Sequence, residues 1–538
     1  MRQLVINLDD GHDHRIDSCD PSSEQTLADH LEAHGFPLNT RCGKRGLCNG
    51  CEVRLSDGST VKSCQIKAGK LDQIQLPERS RMEHRAQVSD SFRIDIPYAH
   101  QPIFPMPSLD FDKCNHGKDI GFAIDLGTTT VAVLIIDLST GDILSRASGF
   151  NAQIQWGDNV LTRIQASGDP DTLRALQQAL TETTFPELIH SACERAGKST
   201  AQLAGGVIAG NTTMLHLLTG ENPSSLGVYP FTPRFIEGKL MRNGQIGINN
   251  LPADTPLQLL PGIATFIGAD IVAGIYATGM LYDSAPSLLV DIGTNGEIVL
   301  HHQGQLIACA TAAGPAFEGG GLSCGTRARH GAISDLAYSL PASRLEAKVI
   351  GNVPLARASG ICGSAYIDFL ADGRRSGLIS PSGRILPSAW ESLPEPYRSV
   401  HEDGRALCLA DTKGRGSMII SEVDIAVILQ AKAAIGAGIE TLLEVSGLTA
   451  DEIGKVYLAG GFGMHLNVAN AIDMGLLPGF SPKQIEVVGN TSLAGAMLTL
   501  IDKSSLDEME AIREKTTTIE LNQQANFEDC YINHLMLP

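Results

Sequence analysis

Four cysteines near the amino terminus have the spacing of a metal centre. Cys42, Cys48 and Cys51 lie in one glycine-rich loop, TRCGKRGLCNGC, and Cys64 follows after a predicted hairpin. Zinc sites usually present paired C-x2-C knuckles, whereas here one loop carries three ligands and a strand carries the fourth. The loop glycines allow the backbone to fold back and donate amide hydrogen bonds to inorganic sulfides. We interpret these cysteines as ligands of a [2Fe–2S] cluster, with zinc and reduced structural cysteines as the alternatives.

A turn between two apolar strands carries the second candidate for chemistry. Residues 121–144 read GFAIDLGTTTVAVLIIDLSTGDIL, with Asp125 at the end of the first strand. Gly127 lets the backbone approach a ligand closely, and Thr128 and Thr129 offer amide and hydroxyl donors to an anionic group. A carboxylate is tolerable beside such an anion only when a cation is also present. The pattern predicts a Mg²⁺–phosphate site, with an ordinary hairpin as the alternative.

The same pattern occurs a second time further along the chain. Residues 287–300, SLLVDIGTNGEIVL, again join two apolar strands through Asp291, Gly293, Thr294 and Asn295. Two matched hairpins of this kind fit a two-lobed enzyme whose duplicated domains grip a nucleotide from opposite sides.

A third glycine-rich turn follows a predicted strand in the carboxy-terminal part. Within residues 456–463, VYLAGGFG, Gly460 and Gly461 suit a backbone that packs against a flat base and ribose. The three turns, in this order, resemble the phosphate-one, phosphate-two and adenosine motifs of actin, sugar kinases and heat-shock-chaperone ATPases. The G-x-x-x-x-G-K-S/T phosphate loop does not occur in the chain. The resemblance implies an actin-like, two-lobed ATPase of α/β structure, in which Asp125 and Asp291 place Mg²⁺ and water.

Three other stretches offer groups to the nucleotide. The run GNTTM places amides and hydroxyls at a helix N-terminus, and AAGPAFEGGG, behind the second hairpin, contains one carboxylate. A helix predicted over residues 421–448 carries a lysine that reaches the nucleotide or, alternatively, forms an exposed salt bridge. The candidate nucleotide contacts are Gly127, Thr128, Thr129, Gly210, Asn211, Thr212, Gly293, Thr294, Asn295, Gly314, Glu318, Lys432, Gly460 and Gly461.

The composition is that of a soluble protein with an acidic surface. The 538 residues include 41 basic and 60 acidic side chains, which gives a net charge of −19. Phosphate backbones need clustered Lys and Arg, so this charge argues against a nucleic-acid partner. The first residues lack the pattern of a secretory signal, and the most apolar stretch, 424–445, is interrupted by charged residues, which argues against a membrane span. We expect a cytoplasmic protein whose 12 cysteines are reduced or bind metal.

The chain divides into four predicted parts. Two strands, a helix and the cysteine loop follow one another in the order of a β-grasp ferredoxin, an α+β domain predicted over residues 1–97. Prolines concentrated around residue 100 indicate a semi-rigid linker over residues 98–118. A first actin-like lobe with a middle domain is predicted over residues 119–205, and a second actin-like ATPase domain over residues 206–538.

These parts together resemble the reductive activators of corrinoid proteins. The stretch QIQWGDNVLTR is also similar to a Gly-x-Asp-Val-x-x-Arg element of that family, placing Gly157, Val160 and Arg163, with Asn159 where the family has Asp. The resemblance implies an ATP-dependent ferredoxin. It would transfer an electron from its [2Fe–2S] cluster to the Co(II) corrinoid of a cobalamin-binding methyltransferase partner and regenerate Co(I). It further implies an upstream electron donor, and it leaves open a homodimer, since relatives tend to dimerise.

Three other functions share parts of this pattern. A small-molecule kinase has the same core, but a fused cluster has no use in a kinase. An activator of radical 2-hydroxyacyl dehydratases also couples ATP to electron transfer, and Cys324 with Cys362 would then supply a cluster shared by two subunits. An actin-like scaffold with an electron-transfer appendage is the non-enzymatic alternative.

Overall fold

The structure of the chain is a computed structural model. It describes residues 3–8, 13–20, 23, 25–36, 38, 44, 51–77, 92, 94, 100–104, 118–339, 344–401, 404–412, 416–461 and 466–538.

The amino-terminal residues form a five-stranded sheet with one packed helix. Its elements are β1 (Gln3–Leu8), β2 (Asp13–Asp17), α1 (Leu27–Ala33), β3 (Glu52–Leu55), β4 (Thr60–Lys62) and β5 (Gln73–Leu76). The strand order is β2-β1-β5-β3-β4, with β1 antiparallel to β2 and parallel to β5. Thr26 caps α1, because its hydroxyl accepts a hydrogen bond from the amide of Asp29. Leu27 and Leu31 then face the core of the sheet.

The first lobe is built on a six-stranded sheet. Its strands are β6 (Ile120–Leu126), β7 (Thr130–Asp137), β8 (Ile143–Phe150), β9 (Leu203–Gly210), β10 (Lys239–Arg242) and β11 (Pro256–Leu259). Its helices are α2 (Val160–Ala166), α3 (Pro170–Gln178), α4 (Phe185–Arg195), α5 (Thr212–Thr219), α6 (Asn243–Ile246) and α7 (Ala269–Thr278). The order β10-β11-β9-β6-β7-β8 contains the predicted hairpin β6–β7, and the apolar runs of both its strands are buried.

The boundary between the two lobes lies later in the chain than the sequence predicts, which is between residues 205 and 206. Strand β9 crosses this point and pairs in parallel with β6, and β11 and β10 extend the same sheet. The residues up to the end of β11 therefore belong to the first lobe, because their backbone hydrogen bonds are made within its sheet.

The second lobe repeats a six-stranded sheet and adds two small ones. Its strands are β12 (Ser287–Ile292), β13 (Gly296–His302), β14 (Gln305–Thr311), β15 (Ala332–Ser339), β16 (Arg344–Val349), β17 (Gly360–Ile361), β18 (Arg398–His401), β19 (Gly404–Thr412), β20 (Gly416–Ser421), β21 (Lys455–Ala459), β22 (Ile485–Gly489) and β23 (Thr516–Thr518). Its helices are α8 (Gly363–Arg375), α9 (Pro387–Ser392), α10 (Glu422–Val445), α11 (Val468–Asp473), α12 (Thr491–Ile501), α13 (Ser505–Lys515) and α14 (Phe527–His534). The main order is β22-β21-β12-β13-β14-β23, which contains the second predicted hairpin, β12–β13.

Helix α12 joins the two lobes. It lies late in the chain, yet its apolar residues belong to the same buried cluster as β6 and β9 of the first lobe. Gly495 permits this contact, since a side chain there would come within 2.5 Å of Ala273 on α7. The described part of the predicted linker also packs here: the amides of Gln101 and Ile103 donate to carbonyls at the end of α12, and Phe104 is buried.

Helix α10 is the longest helix in the described part of the chain. It is the one described helix that is long and apolar enough, by length and composition, to cross a membrane. Its most apolar window is 78% buried inside the protein, as in the core helix of a soluble fold. Ser421, the first residue of the predicted helix, caps it through a reciprocal pair of hydrogen bonds with Asp424.

Candidate functional site

The two predicted hairpins face each other across a cleft between the lobes. The hydroxyl oxygens of Thr129, from β6–β7, and Thr294, from β12–β13, are 3.2 Å apart. Most of the predicted site residues line this one cleft: Asp125, Gly127, Thr128, Thr129, Asn211, Asp291, Gly293, Thr294, Asn295, Glu318, Gly460 and Gly461.

Four predicted nucleotide contacts do not line the cleft. Lys432 is 1% exposed, and its ammonium group donates to the carbonyl of Met536 at 2.6 Å, while burial lowers its pKa to about 8. Thr212 donates its hydroxyl to the carbonyl of Ala264. The remaining two, Gly210 and Gly314, lie outside the lining, the former where β9 packs closely on β6.

The cleft contains four carboxyl groups whose pKa values are raised. Burial raises the pKa of Asp125, and burial together with the charge of Asp125 raises the pKa of Asp270 to about 7. Burial, with the charges of Asp270 and Asp125, raises the pKa of Asp291 to about 8. Burial, with the charges of Asp270 and Asp291, raises the pKa of Glu297. Such groups ionise together only if a cation neutralises them. This cleft is therefore suited to a divalent metal ion.

Hydrogen bonds hold Asp125 in place. Its carboxylate oxygens accept from the side-chain amide of Asn490 at 2.8 Å and from the hydroxyl of Ser492 at 2.7 Å. Both donors belong to the start of α12, where Asn490 is also the N-cap. Sequence reasoning missed these two residues. The motif Gly-Asn-Thr-Ser before an apolar helix was the available signal, since it matches the earlier Gly-Asn-Thr-Thr.

Three helices start at the cleft. Asn211 caps α5 and donates its side-chain amide to the hydroxyl of Thr128 at 2.8 Å. Helix α8 begins with Gly363 and Ser364, which line the cleft, and α12 begins beside Asp125. Amides at helix N-termini and the helix dipole favour a bound anion. The convergence of three helix starts on one cleft therefore fits a phosphate-bearing ligand.

The turn that is predicted to bind adenosine has one constrained glycine and one open glycine. Gly460 has φ +94°, and a Cβ atom there would lie 2.4 Å from the carbonyl oxygen of Ile292. Gly461 has no heavy atom within 4 Å of an added Cβ atom. The first glycine packs the turn against β12, and the second leaves space for a flat group.

Arg163 supports the first hairpin from behind. Its guanidinium is fully buried and donates to the carbonyl of Gly157 and to the side-chain oxygen of Gln153. The side-chain amide of Asn151 also lies near that oxygen, and it donates to the carbonyl of Gly127 at 3.0 Å. Burial lowers the pKa of Arg163 to about 9.

Asn159 takes a structural position in the same element. Its side chain caps α2 by accepting a hydrogen bond from the amide of Thr162. An aspartate can make the same cap, so the change from the family pattern preserves the local fold.

Two of the four predicted cluster ligands lie in the described residues. Cys51, at the start of β3, and Cys64, after β4, are both buried, and their thiols lie next to each other. Burial raises the pKa of Cys51 to about 11, with the Cys64 thiol adding to the shift. Cys42 and Cys48 lie outside the described residues. A pair of adjacent buried thiols fits one edge of a metal centre, because such a site needs its ligands held together.

The described residues contain no preformed site for a metal ion. Within these residues, no three or more His, Cys, Asp or Glu side chains lie close enough together to hold a metal ion. Mg²⁺ commonly uses one or two carboxylates and takes its other ligands from phosphate and water. The carboxyl groups of the cleft suit that kind of coordination, which a bound nucleotide would complete.

Two family models match the chain, and a reductive activator is among the solved structures that are similar to it. The RACo middle region matches residues 120–283, and the C-terminal domain of RACo, described as the ASKHA domain, matches residues 285–538. A solved reductive activator for corrinoid, iron–sulfur protein superposes with a TM-score of 0.74 at 28% identity, over 100% of this chain and 98% of that one. The chain belongs to the reductive activators of corrinoid proteins. Its ASKHA domain implies that it binds ATP.

Two curated relatives are similar to the chain over most of its length. The chain is 28% identical to the corrinoid activation enzyme RamQ of Eubacterium limosum, over 96% of this chain and 97% of that protein. It is 25% identical to the [Co(II) methylated amine-specific corrinoid protein] reductase of Methanosarcina barkeri, over 74% and 73% of the two chains.

Proposed function

We propose that the chain is an ATP-dependent reductive activator that regenerates Co(I) from the Co(II) corrinoid of a cobalamin-binding partner in a methyltransferase system. The observation that carries this proposal is the combination of family membership with a two-lobed cleft whose carboxyl groups and helix starts suit Mg²⁺ and phosphate. The named relatives act on corrinoid proteins, and the chain matches one of them over nearly its full length.

The cleft residues take these roles in the proposal. The turns at Gly127–Thr129 and Gly293–Asn295 hold the phosphates, and Gly460 and Gly461 accommodate adenosine. Asp125 and Asp291 place Mg²⁺ and the water that surrounds it, with Asp270 and Glu297 completing the negative site.

The amino-terminal domain provides the electron in the proposal. Cys42, Cys48, Cys51 and Cys64 hold a [2Fe–2S] cluster, which supplies one electron at a time when bound. The adjacent burial of Cys51 and Cys64 supports this assignment. An upstream donor of electrons and a cytoplasmic location belong to the same proposal, because reduced and metal-bound cysteines persist in that compartment.

ATP favours the reaction by changing conformation. Co(I) is strongly reducing, so the electron transfer runs uphill, and roughly each 59 mV of deficit costs a factor of ten for one electron. Closure of the cleft around ATP can favour binding of the corrinoid partner only if the partner binds the closed form more tightly than the open form. The contact between Thr129 and Thr294 is the place where the lobes already meet.

The position of Cys362 does not support a cluster shared between two subunits, as in a dehydratase activator. Cys362 is 4% exposed at the start of α8, inside the second lobe. A ligand for a cluster between two subunits has to reach the surface of each.

ATP turnover with and without a Co(II) corrinoid protein tests the proposal. We expect the corrinoid protein to increase release of inorganic phosphate by the full chain. If turnover instead requires a small-molecule acceptor, and the phosphate is transferred to it, the kinase alternative replaces this proposal. Assembly of filaments on addition of ATP would identify the scaffold alternative.

A further inference from the structure

Positive charge is scarce in the cleft. Among the described residues that line it, Arg327 is the sole lysine or arginine. The carboxyl groups on the same lining are those of Asp125, Asp270, Asp291, Glu297 and Glu318. A triphosphate entering such a site meets strong repulsion unless Mg²⁺ and a protein cation offset it.

Arg327 stands where the two lobes meet. It follows the turn behind the second hairpin, and its guanidinium carbon lies 5.5 Å from the ring centre of Phe150, at the end of β8 in the first lobe. Its Nη2 donates to Oε2 of Glu318 at 2.8 Å, and both side chains are about four-fifths buried. The guanidinium therefore has an aromatic partner on one lobe and a carboxylate partner on the other.

Glu318 also connects Arg327 to both phosphate turns. The same Oε2 atom accepts a second hydrogen bond, from the hydroxyl of Thr294 at 3.1 Å. Because Thr294 donates to Glu318, the hydroxyl of Thr129 donates to Thr294 across the cleft. One carboxylate oxygen thus receives the donors that would otherwise face an anion between the two turns.

A phosphate group is a stronger partner for these donors than Glu318. It carries more charge and offers several oxygens in a geometry that a planar guanidinium contacts with two parallel hydrogen bonds. The phosphate also brings Mg²⁺, whose positive charge offsets the negative charge of the cleft carboxylates. Glu318 and the phosphates therefore compete for one guanidinium.

We propose that Arg327 is the phosphate-binding cation of this site and that it exchanges its ion pair with Glu318 for the phosphates of the nucleotide. This inference rests on the proposed function, because it names a contact for the same ATP. The exchange frees Glu318 and the Thr294 hydroxyl together, and it alters the Arg327 contact with Phe150. Nucleotide binding is thereby transmitted to the first lobe through one side chain.

Nucleotide affinities of full-length variants test this exchange. Arg327→Gln, Arg327→Lys and Glu318→Gln are compared with wild type by calorimetric titration with Mg-ATP and with adenosine, which has no phosphate. The pair Arg513 and Glu510 on α13 provides the matched control, since it is similarly buried and lies 2.6 Å apart outside the cleft lining. Melting temperatures check that each variant is folded. If Arg327→Gln does not fold, Arg327→Lys is used to test the exchange in its place.

The exchange predicts a specific pattern of affinities. Arg327→Gln should weaken Mg-ATP binding by at least about tenfold, the value of one hydrogen bond to a charged group, and should leave adenosine affinity unchanged. Arg327→Lys should recover part of the loss, because it restores charge without the planar fork. Glu318→Gln should bind Mg-ATP as tightly as wild type or more tightly, because the competitor is weakened. Arg513→Gln and Glu510→Gln should match wild type.

Three results would overturn the exchange. They are wild-type Mg-ATP affinity in Arg327→Gln, equal loss of ATP and adenosine affinity in that variant, and a loss in Glu318→Gln as large as in Arg327→Gln. Failure of the proposed function can be told apart from failure of the exchange. If the wild-type protein binds ATP but does not support reduction of Co(II), the proposed function fails, and the affinities above still test the exchange. A wild-type protein that binds no ATP overturns both.

Discussion

The hydroxyl oxygens of Thr129 and Thr294 lie 3.2 Å apart, although the two residues belong to different lobes and different sheets. Each follows an Asp-x-Gly turn, and each faces the same cleft. The contact joins two turns that the sequence identifies separately as phosphate sites. It also makes the separation of the lobes sensitive to whatever binds between them.

Replacing Thr294 with valine should loosen this contact. The change keeps the shape and removes the hydroxyl that bonds to Glu318 and Thr129. We expect the free energy of unfolding to fall by about 1 kcal/mol and Mg-ATP affinity to fall severalfold. Denaturant unfolding and calorimetric titration measure the two effects. Thr518→Val, at an exposed position on β23, is the control and should change neither. Unchanged ATP affinity in Thr294→Val would show that this turn does not face the phosphates.

The two glycines of the adenosine turn should respond differently to alanine. Gly460→Ala places a Cβ atom 2.4 Å from the carbonyl of Ile292 at φ +94°, so the melting temperature should fall by several degrees. Gly461→Ala meets nothing within 4 Å and should fold as wild type, while weakening adenosine and ATP binding alike. Thermal unfolding and titration with adenosine separate the two cases. Full adenosine affinity in Gly461→Ala would remove this turn from the nucleotide site.

Stability should fall as pH rises from about 4 to about 8. The pKa of the Asp291 carboxyl is raised from 3.8 to about 8, so across this window the native state binds a proton that the unfolded chain has released. The unfolded state then binds fewer protons, and the stabilising contribution, complete below pH 3.8, is lost as pH rises through the folded pKa.

Asp291→Asn should flatten that dependence, because asparagine resembles the protonated carboxyl and does not titrate. Melting temperatures from pH 5 to pH 8.5, without Mg²⁺, provide the measurement, with the exposed Asp254→Asn as the control. The affinity of the wild type for Mg²⁺ should rise over the same window, since the metal needs ionised carboxylates. If the melting temperature of Asp291→Asn changes with pH as steeply as that of the wild type, groups other than Asp291 cause the pH dependence.

Mutations should remove the cluster and the nucleotide binding independently of each other. Cys64→Ser should abolish visible absorbance from the cluster and leave Mg-ATP affinity unchanged, because Cys64 belongs to the amino-terminal sheet. Asp125→Ala should weaken Mg-ATP binding and leave the absorbance unchanged. Spectra and titrations of both variants check this. Loss of both properties in either variant would contradict a division into two modules.

Much of the fold and site could be predicted from local sequence. The strands around Asp125 and Asp291 are continuous apolar runs that end in Gly-Thr turns, and such short-range patterns determine both hairpins. Ser421 similarly marks the start of α10, because capping depends on residues three positions apart.

Contacts between distant parts of the chain could not be predicted in this way. Asn490 and Ser492 reach Asp125 only because α12 returns to the first lobe. The sequence predicts that Lys432 reaches the nucleotide or forms an exposed salt bridge, but its side chain is buried and donates to the carbonyl of Met536. Among the described residues that line the cleft, the cation is Arg327. The boundary at residue 205 failed for the same reason, since strand β9 pairs with β6 across a long separation in sequence.

The reduction of a corrinoid protein tests the central claim most directly. The reduced full chain is mixed anaerobically with a Co(II) corrinoid protein, and visible spectra are recorded with and without Mg-ATP. The account predicts Co(I) only when Mg-ATP is present, and no Co(I) from Asp125→Ala or Cys64→Ser. Co(I) formed equally without ATP, or ATP consumed with cobalt remaining Co(II), would contradict it.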